Sequence, residues 1–196
     1  MKVVVIGGGA AGFFAALSAK AHQPDAGVII LEKSTKLLAK VKVSGGGRCN
    51  ITTAHTSIKT ISEAYPRGSK LMKKLLPFFG PEETRNWFHE RGVETYAQPD
   101  MRVFPTSNDS QSVIDCLMSE AQRSNVSIQL STGVSRMTAK NERWFLHCSN
   151  DKIVEADKVI VASGGSPKES GFDWLRELGH EIAAPVPSLF TFNMRN

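Results

Sequence analysis

Three glycines spaced Gly7-x-Gly9-x-x-Gly12 stand between an apolar, β-branched run and a stretch of helix formers. Each glycine meets a separate steric demand. Gly7 permits a tight turn out of a strand. Gly9 keeps side-chain atoms away from the place where a pyrophosphate would approach. Gly12 lets the following helix pack closely on the strand. The N-terminus of that helix offers free N–H groups and a positive dipole end that suit an anion. Glu32 stands twenty residues after Gly12 and closes the second apolar run, VIILE, with Lys33 beside it. A carboxylate at that distance accepts hydrogen bonds from ribose hydroxyls. A bare strand–helix turn would need no acid there. The pattern predicts an adenine dinucleotide and leaves NAD(P) and FAD as alternatives.

A second cluster, VSGGGRCN, runs from Val43 to Asn50. Backbone N–H groups from Ser44, Gly45, Gly46 and Gly47 can come close to a pyrophosphate or a ring edge. Arg48 can offset phosphate charge, and Asn50 can both donate and accept. The stretch reads as flat, donor-rich backbone facing a large planar cofactor. A flexible linker would not be expected to end in Arg-Cys-Asn. Cys49 reads as a small buried filler rather than a reactive thiol. Lys33, Lys36, Lys40 and Lys42 form the densest basic run, either a solvated loop or a phosphate-facing one.

The elements that must hold these residues are legible in the pattern of apolar runs. Lys2–Ile6 and Gly27–Lys33 read as buried parallel strands, with a helix over Gly12–His22 between them. Leu71–Phe79 and Glu82–Arg91 look helical, with Pro81 at a first helical position and Gly92 as a stop. MRVFP is a short strand, Ser112–Arg123 an amphipathic helix and Val126–Leu130 a further strand. GVSRMTAK, RWFLHCS and KIVEA have hairpin spacing and predict a β-meander. Lys158–Gly165 repeats the pattern of buried strand followed by glycine. Asp173–Leu178 reads as a short helix capped by Gly179, and Ser188–Phe192 as an apolar, strand-like run. The sum is a doubly wound α/β fold with a parallel sheet and a β-meander excursion. It forms one domain over 1–196, with a mainly helical excursion over 53–110.

Composition narrows the chemistry. The chain has 196 residues, 41% of them hydrophobic, and a mild net charge of +5. That charge suits an anionic ligand, but no basic stripe with interleaved aromatics points to nucleic acid. Three cysteines without a CxxC pair exclude a dithiol centre or a cysteine zinc site and fit a reducing, cytoplasmic compartment. Five histidines show no ligand spacing, so no metal is expected; His180 reads as structural. The apolar N-terminal run is too short to span a membrane. Trp87, Phe88, Trp144 and Phe145 read as packing residues. Tyr65-Pro66-Arg67-Gly68 fits a turn, and Arg102 is a candidate cofactor or substrate contact.

VIGGGAAGFFAAL, LEKSTKLLAKVKVSGGGRCNIT, YPRG, RVFP and VIVASGGSPK, in this order, resemble the bacterial BaiN-like or aminoacetone oxidase-like FAD-binding flavoproteins. The resemblance covers essentially the whole chain, and SGGGRCN is its specific motif. It implies a Rossmann-like, FAD-binding domain of the two-dinucleotide-binding flavoprotein type. Gly7, Gly9, Ala10, Ala11 and Gly12 would then face the pyrophosphate, and Glu32 with its neighbour Lys33 the ribose. Lys40, Ser44, Gly45, Gly46, Arg48, Cys49 and Asn50 would lie towards the phosphates and flavin. Val134 would meet the adenine, and Ala162, Gly164 and Gly165 would close over the cofactor. Ser163 stands where the family has threonine, and Met101 where glycine often precedes RVFP. Relatives are longer, so the chain is expected to be an N-terminal portion lacking an inserted second domain and a C-terminal return segment. The implied activity is flavin-mediated hydride transfer on a small-molecule substrate, with NAD(P)H as candidate donor. An NAD(P)-dependent dehydrogenase explains the first cluster but not SGGGRCN, and a non-catalytic flavin-binding module is a further alternative. An RNA-modifying flavoprotein is permitted by charge alone.

Overall fold

The computed structural model of the protein describes residues 1–65, 67–166 and 168–185. Pro66, Pro167 and the strand-like run Ser188–Phe192 lie outside the described residues. The chain opens with β1 (Lys2–Ile6), α1 (Ala10–His22) and β2 (Gly27–Leu31). There follow α2 (Ala39–Val43), a single 3-10 turn (Ser44–Gly47) and β3 (Thr52–Thr53). The next three helices are α3 (Ile58–Glu63), α4 (Ser69–Leu75) and α5 (Pro81–His89). After them come β4 (Thr95–Ala97), β5 (Arg102–Pro105), α6 (Ser110–Arg123) and β6 (Ser127–Gln129). The meander is β7 (Val134–Lys140), β8 (Arg143–Cys148) and β9 (Ile153–Ala156). β10 (Lys158–Val161), a second 3-10 turn (Glu169–Phe172) and α7 (Asp173–Arg176) complete the described elements.

Four strands form a parallel sheet in the order β10-β1-β2-β6, with Val4 opposite Val159 on one side and Ile29 on the other. β1 is apolar at every position from Val3 to Ile6 because both of its faces are covered. Val3 and Val5 face Phe13 and Ala16 of α1 and Val113, Leu117 and Ala121 of α6. Val4 and Ile6 face Met137, Leu146, Val154 and Ala156 of the meander. The β-excursion is therefore the second layer, antiparallel in the order β7-β8-β9.

The 53–110 stretch contains three helices and most of a small antiparallel sheet, β3-β5-β4. It is fastened to the core by aromatic and ionic contacts. Phe14 of α1 packs against Trp87 and Phe88 of α5, with ring centroids 4.7 and 6.1 Å apart. Arg91 lies over the Trp87 ring and donates from Nε to the buried Glu120 carboxylate at 2.8 Å. These contacts bear out the packing role read for Trp87 and Phe88.

Element bounds shift in places, with α1 starting at Ala10 rather than Gly12 and α4 spanning Ser69–Leu75 rather than Leu71–Phe79; two further differences have a local cause. The stretch before SGGGRCN is not flat: Ala39–Val43 is helical, and the glycines that follow coil into a 3-10 turn. Leu38, buried and left-handed at φ 54°, makes the bend that starts the helix. α6 begins at Ser110 rather than Ser112, because Asp109 caps it by accepting from the Gln111 N–H at 2.8 Å.

Candidate functional site

The first glycine turn is built by exclusion. Gly7 has φ +112°, and a Cβ there would overlap the carbonyl oxygen of Ala162. A Cβ on Gly12 would overlap the carbonyl oxygen of Gly7. Both positions must be glycine for β1, α1 and the turn after β10 to meet. Gly9 is different: nothing lies within 4 Å of its Cβ position. Gly9, Ala10 and Ala11 are exposed, and no side chain caps the first turn of α1. Its N–H groups are open to an anion at the carboxyl end of the parallel strands, where ligands of such sheets bind.

Glu32 follows β2 at the same edge. Its Oε2 accepts from the Gly8 N–H at 2.7 Å and its Oε1 from the Ser34 N–H at 2.8 Å. Partial burial raises its carboxyl pKa. The two backbone donors, the Ser34 hydroxyl and the Lys33 charge outweigh that effect and hold it below the usual carboxylate range. Glu32 is thus a fixed anion with lone pairs to spare. Gly8, buried and absent from the sequence-derived set, is the residue that fixes it. Its signal was the middle glycine of the GGG run. A Cβ on Gly8 would overlap Leu37 and stand 3.1 Å from Glu32 Cβ, and its carbonyl accepts from Leu38 N at 2.9 Å.

A cleft of about 380 Å³ opens beside this carboxylate, lined by Gly7, Glu32, Lys33, Val134, Ser163 and Trp174. The structure thereby brings Val134 and Lys33, distant in sequence, to the two sides of one cleft. The closeness of Lys33 to Gly133 explains the pairing, since a Cβ on Gly133 would stand 3.0 Å from Lys33 Cβ. A wider cleft of about 700 Å³ lies between β3, β4 and α5, around His55, Arg85 and a His89–Glu94 pair at 2.7 Å. It includes none of the glycine turns, so the 380 Å³ cleft is the one that belongs to the dinucleotide pattern.

The late glycine turn joins the first. Ala162 donates to the Ile6 carbonyl at 2.8 Å and lies under Gly7. Gly164 is left-handed at φ +70°, with Lys40 Nζ 3.7 Å from its Cβ position. Lys40 of α2 thus brings its ammonium to the turn formed by Ala162, Gly164 and Gly165. Gly165 is exposed, with open space at its Cβ position.

The SGGGRCN loop is coiled on itself. Gly45, Gly46 and Gly47 have φ of +57°, +69° and +86°. A Cβ on Gly45 would stand 2.7 Å from Phe104 Cε1 and 2.8 Å from the Asn50 nitrogen, whereas Gly46 and Gly47 face open space. Several side chains of the loop are engaged within it. Ser44 Oγ donates to Val41 O, and Arg48 Nε donates to Gly45 O at 3.3 Å. In the amide orientation that satisfies its neighbours, Asn50 donates to the Thr52 and Val103 carbonyls. Cys49 is buried and left-handed at φ 64°, and burial raises its thiol pKa despite a bond with Ser44. The filler reading of Cys49 holds. Arg102 is drawn to Asp100 at 2.6 Å on the exposed side of β5, and Met101 adopts the left-handed backbone, φ 66°, that a glycine would take.

Among the described residues no three histidine, cysteine, aspartate or glutamate side chains gather to hold a metal. No described helix is long and apolar enough to cross a membrane.

Known proteins share this architecture. A 3-dehydro-bile acid delta(4,6)-reductase of Clostridium scindens is 28% identical over 99% of this chain and 48% of its own length. A ribosomal RNA dihydrouridine synthase of Escherichia coli is 28% identical over 83% of this chain and 39% of its own. The chain spans about half the length, or less, of these curated relatives. Among solved structures, E. coli quinol fumarate reductase FrdA superposes with a TM-score of 0.60 at 15% identity, over 84% of this chain and 33% of that one. That likeness shows a shared fold. Residues 1–186 match the HI0933-like protein Rossmann domain, and the chain belongs to that family.

Proposed function

We propose that this chain is the FAD-binding portion of a flavin-dependent oxidoreductase that reduces a small organic molecule, with NAD(P)H as electron donor. The observation that carries the reading is the convergence of three turns. Gly8 O accepts from Leu38 N, which ties the first glycine turn to the start of α2; α2 leads into Ser44–Gly47 and sends Lys40 to Gly164. A dehydrogenase that binds NAD(P) alone needs the first turn and Glu32, but neither of the other two.

The residues present fit FAD. Open space at Gly9 and the uncapped start of α1 suit a pyrophosphate, and Lys40 supplies a cation. Glu32 would accept from the ribose, and Val134 would border the adenine in the 380 Å³ cleft. The backbone of Gly46 and Gly47 would meet the flavin edge, where open space allows close approach. Bound there, FAD supplies a ring that takes up and passes on hydride. The chain's own contribution is binding, orientation and charge.

The relatives' names support a reductase and favour two substrate classes. One is a reductase of a bile acid, a small molecule. The other acts on ribosomal RNA, and it supports RNA as a second reading for the substrate. The mild positive charge accommodates either. The test is direct. Purified protein should copurify with, or titrate to, one equivalent of FAD with blue-region absorbance, and NAD(P)H should bleach it. Absence of flavin binding would overturn the reading. Supplying unsaturated small molecules or unmodified ribosomal RNA as acceptors then separates the two substrate classes.

A further inference from the structure

One ring holds the SGGGRCN loop from below. Phe104 is fully buried in β5. Its Cε1 stands 2.7 Å from the Gly45 Cβ position, so the ring leaves no room there for anything larger than glycine. The Arg48 guanidinium lies 4.2 Å from the Phe104 ring centre while its Nε donates to Gly45 O. Asn50, at the end of the same loop, donates to Val103 O, the carbonyl just before the ring. Arg102 also approaches Phe104, at 5.6 Å, but Asp100 neutralises it. Among the described residues no carboxylate forms an ion pair with Arg48.

A guanidinium stacked on a buried ring and bonded to a left-handed turn has little freedom left. Its position is set by the ring rather than by a counter-ion, so its charge is not cancelled. We propose that Phe104 is a positioning residue of the cofactor site: its ring fixes Arg48 and the Gly45–Gly47 turn, so that loop backbone and guanidinium charge meet the flavin end of the cofactor in one geometry. The inference rests on the FAD reading above. It assigns a role to a side chain that touches no cofactor itself, and it separates Phe104 from the surrounding core. An ordinary core residue would affect stability alone.

The test compares wild type with Phe104→Tyr, Phe104→Leu and Arg48→Gln by titration with FAD and with ADP and by the flavin midpoint potential. A fixed positive charge favours the more electron-rich state of the ring. Phe104→Leu is expected to weaken FAD binding about tenfold, between the scales of an exposed and a desolvated cation–π contact, as suits the half-buried Arg48. ADP affinity should be unchanged and the potential more negative. Arg48→Gln should show the same pattern, and Phe104→Tyr, which keeps the ring, should restore wild-type values. A Phe104→Leu protein with wild-type potential and FAD affinity overturns the proposal, as does an equal loss for ADP and FAD. Should Phe104→Leu fail to fold, Arg48→Gln decides: wild-type values there overturn it. Wild-type protein that binds ADP but no FAD would instead overturn the flavin reading and this inference with it.

Discussion

The Gly8 N–H donates to Glu32 Oε2 at 2.7 Å, joining the glycine turn after β1 to the acid after β2. This bond turns two sequence signals into one site. It holds the carboxylate beside the cleft that Val134 and Ser163 border and, with the Ser34 donors and Lys33, lowers its pKa against the effect of burial. Glu32→Gln keeps the shape and removes the charge. FAD affinity should fall roughly ten- to a hundredfold, the range for hydrogen bonds to a charged group. Isothermal titration would show it, and unchanged affinity would mean that Glu32 does not meet the ribose.

The same group makes stability depend on pH with a defined sign. The folded carboxyl lies below its unfolded value, which is about 4.3 for glutamate. Its contribution is therefore present above that value and is lost as pH falls through the lower, folded one. Urea midpoints of wild type and Glu32→Gln should differ at pH 7 and converge as the carboxylate protonates on acidification. A constant gap across that range would contradict the linkage.

Two glycines in one turn should respond oppositely to substitution. Gly12→Ala drives a methyl group into the Gly7 carbonyl and should lower the melting temperature sharply, by several degrees or more. Gly9→Val meets open space, so the protein should stay folded by circular dichroism. The added side chain occupies the pyrophosphate's approach, and flavin should no longer copurify. Stoichiometric flavin in folded Gly9→Val would refute the assignment of this turn.

Gly45→Ala meets two costs together, a left-handed φ of +57° and contact with Phe104. Its destabilisation should reach about 1–3 kcal/mol. Gly46→Ala has the strained φ but open space and should cost less. Chemical denaturation of the pair gives the difference, and equal costs would argue against the Phe104 contact.

The three thiols should be inert in the folded protein. Cys49, Cys116 and Cys148 are buried, and burial raises each thiol above its ordinary pKa. Ellman's reagent at pH 7.5 should label fewer than one thiol over minutes natively, and three after denaturation. Rapid native labelling of Cys49 would contradict its role as packing in the loop.

Much of the fold was written locally. β1 reads as buried because Val3–Ile6 are apolar without alternation, and sterics alone require glycine at a strand–helix turn such as Gly7–Gly12. Glu32 was legible by distance along the chain, since the crossover between parallel strands has a nearly fixed length. The helix that follows Leu38 was not legible, because a left-handed leucine is stable only when buried against neighbours that periodicity does not name. Within SGGGRCN, sequence did not say which glycines were closed and which open. Gly7 is blocked by Ala162, Gly12 by the backbone of Gly7 and Gly45 by Phe104, whereas Gly9 and Gly46 face space. That division depends on contacts between segments far apart in the chain, and composition carries no information about them. The residue types and spacing determined that this protein has a dinucleotide-type glycine turn and a parallel sheet. Only the tertiary structure decided that three separate turns meet at one edge, because strand order β10-β1-β2-β6 places the first and last glycine turns side by side.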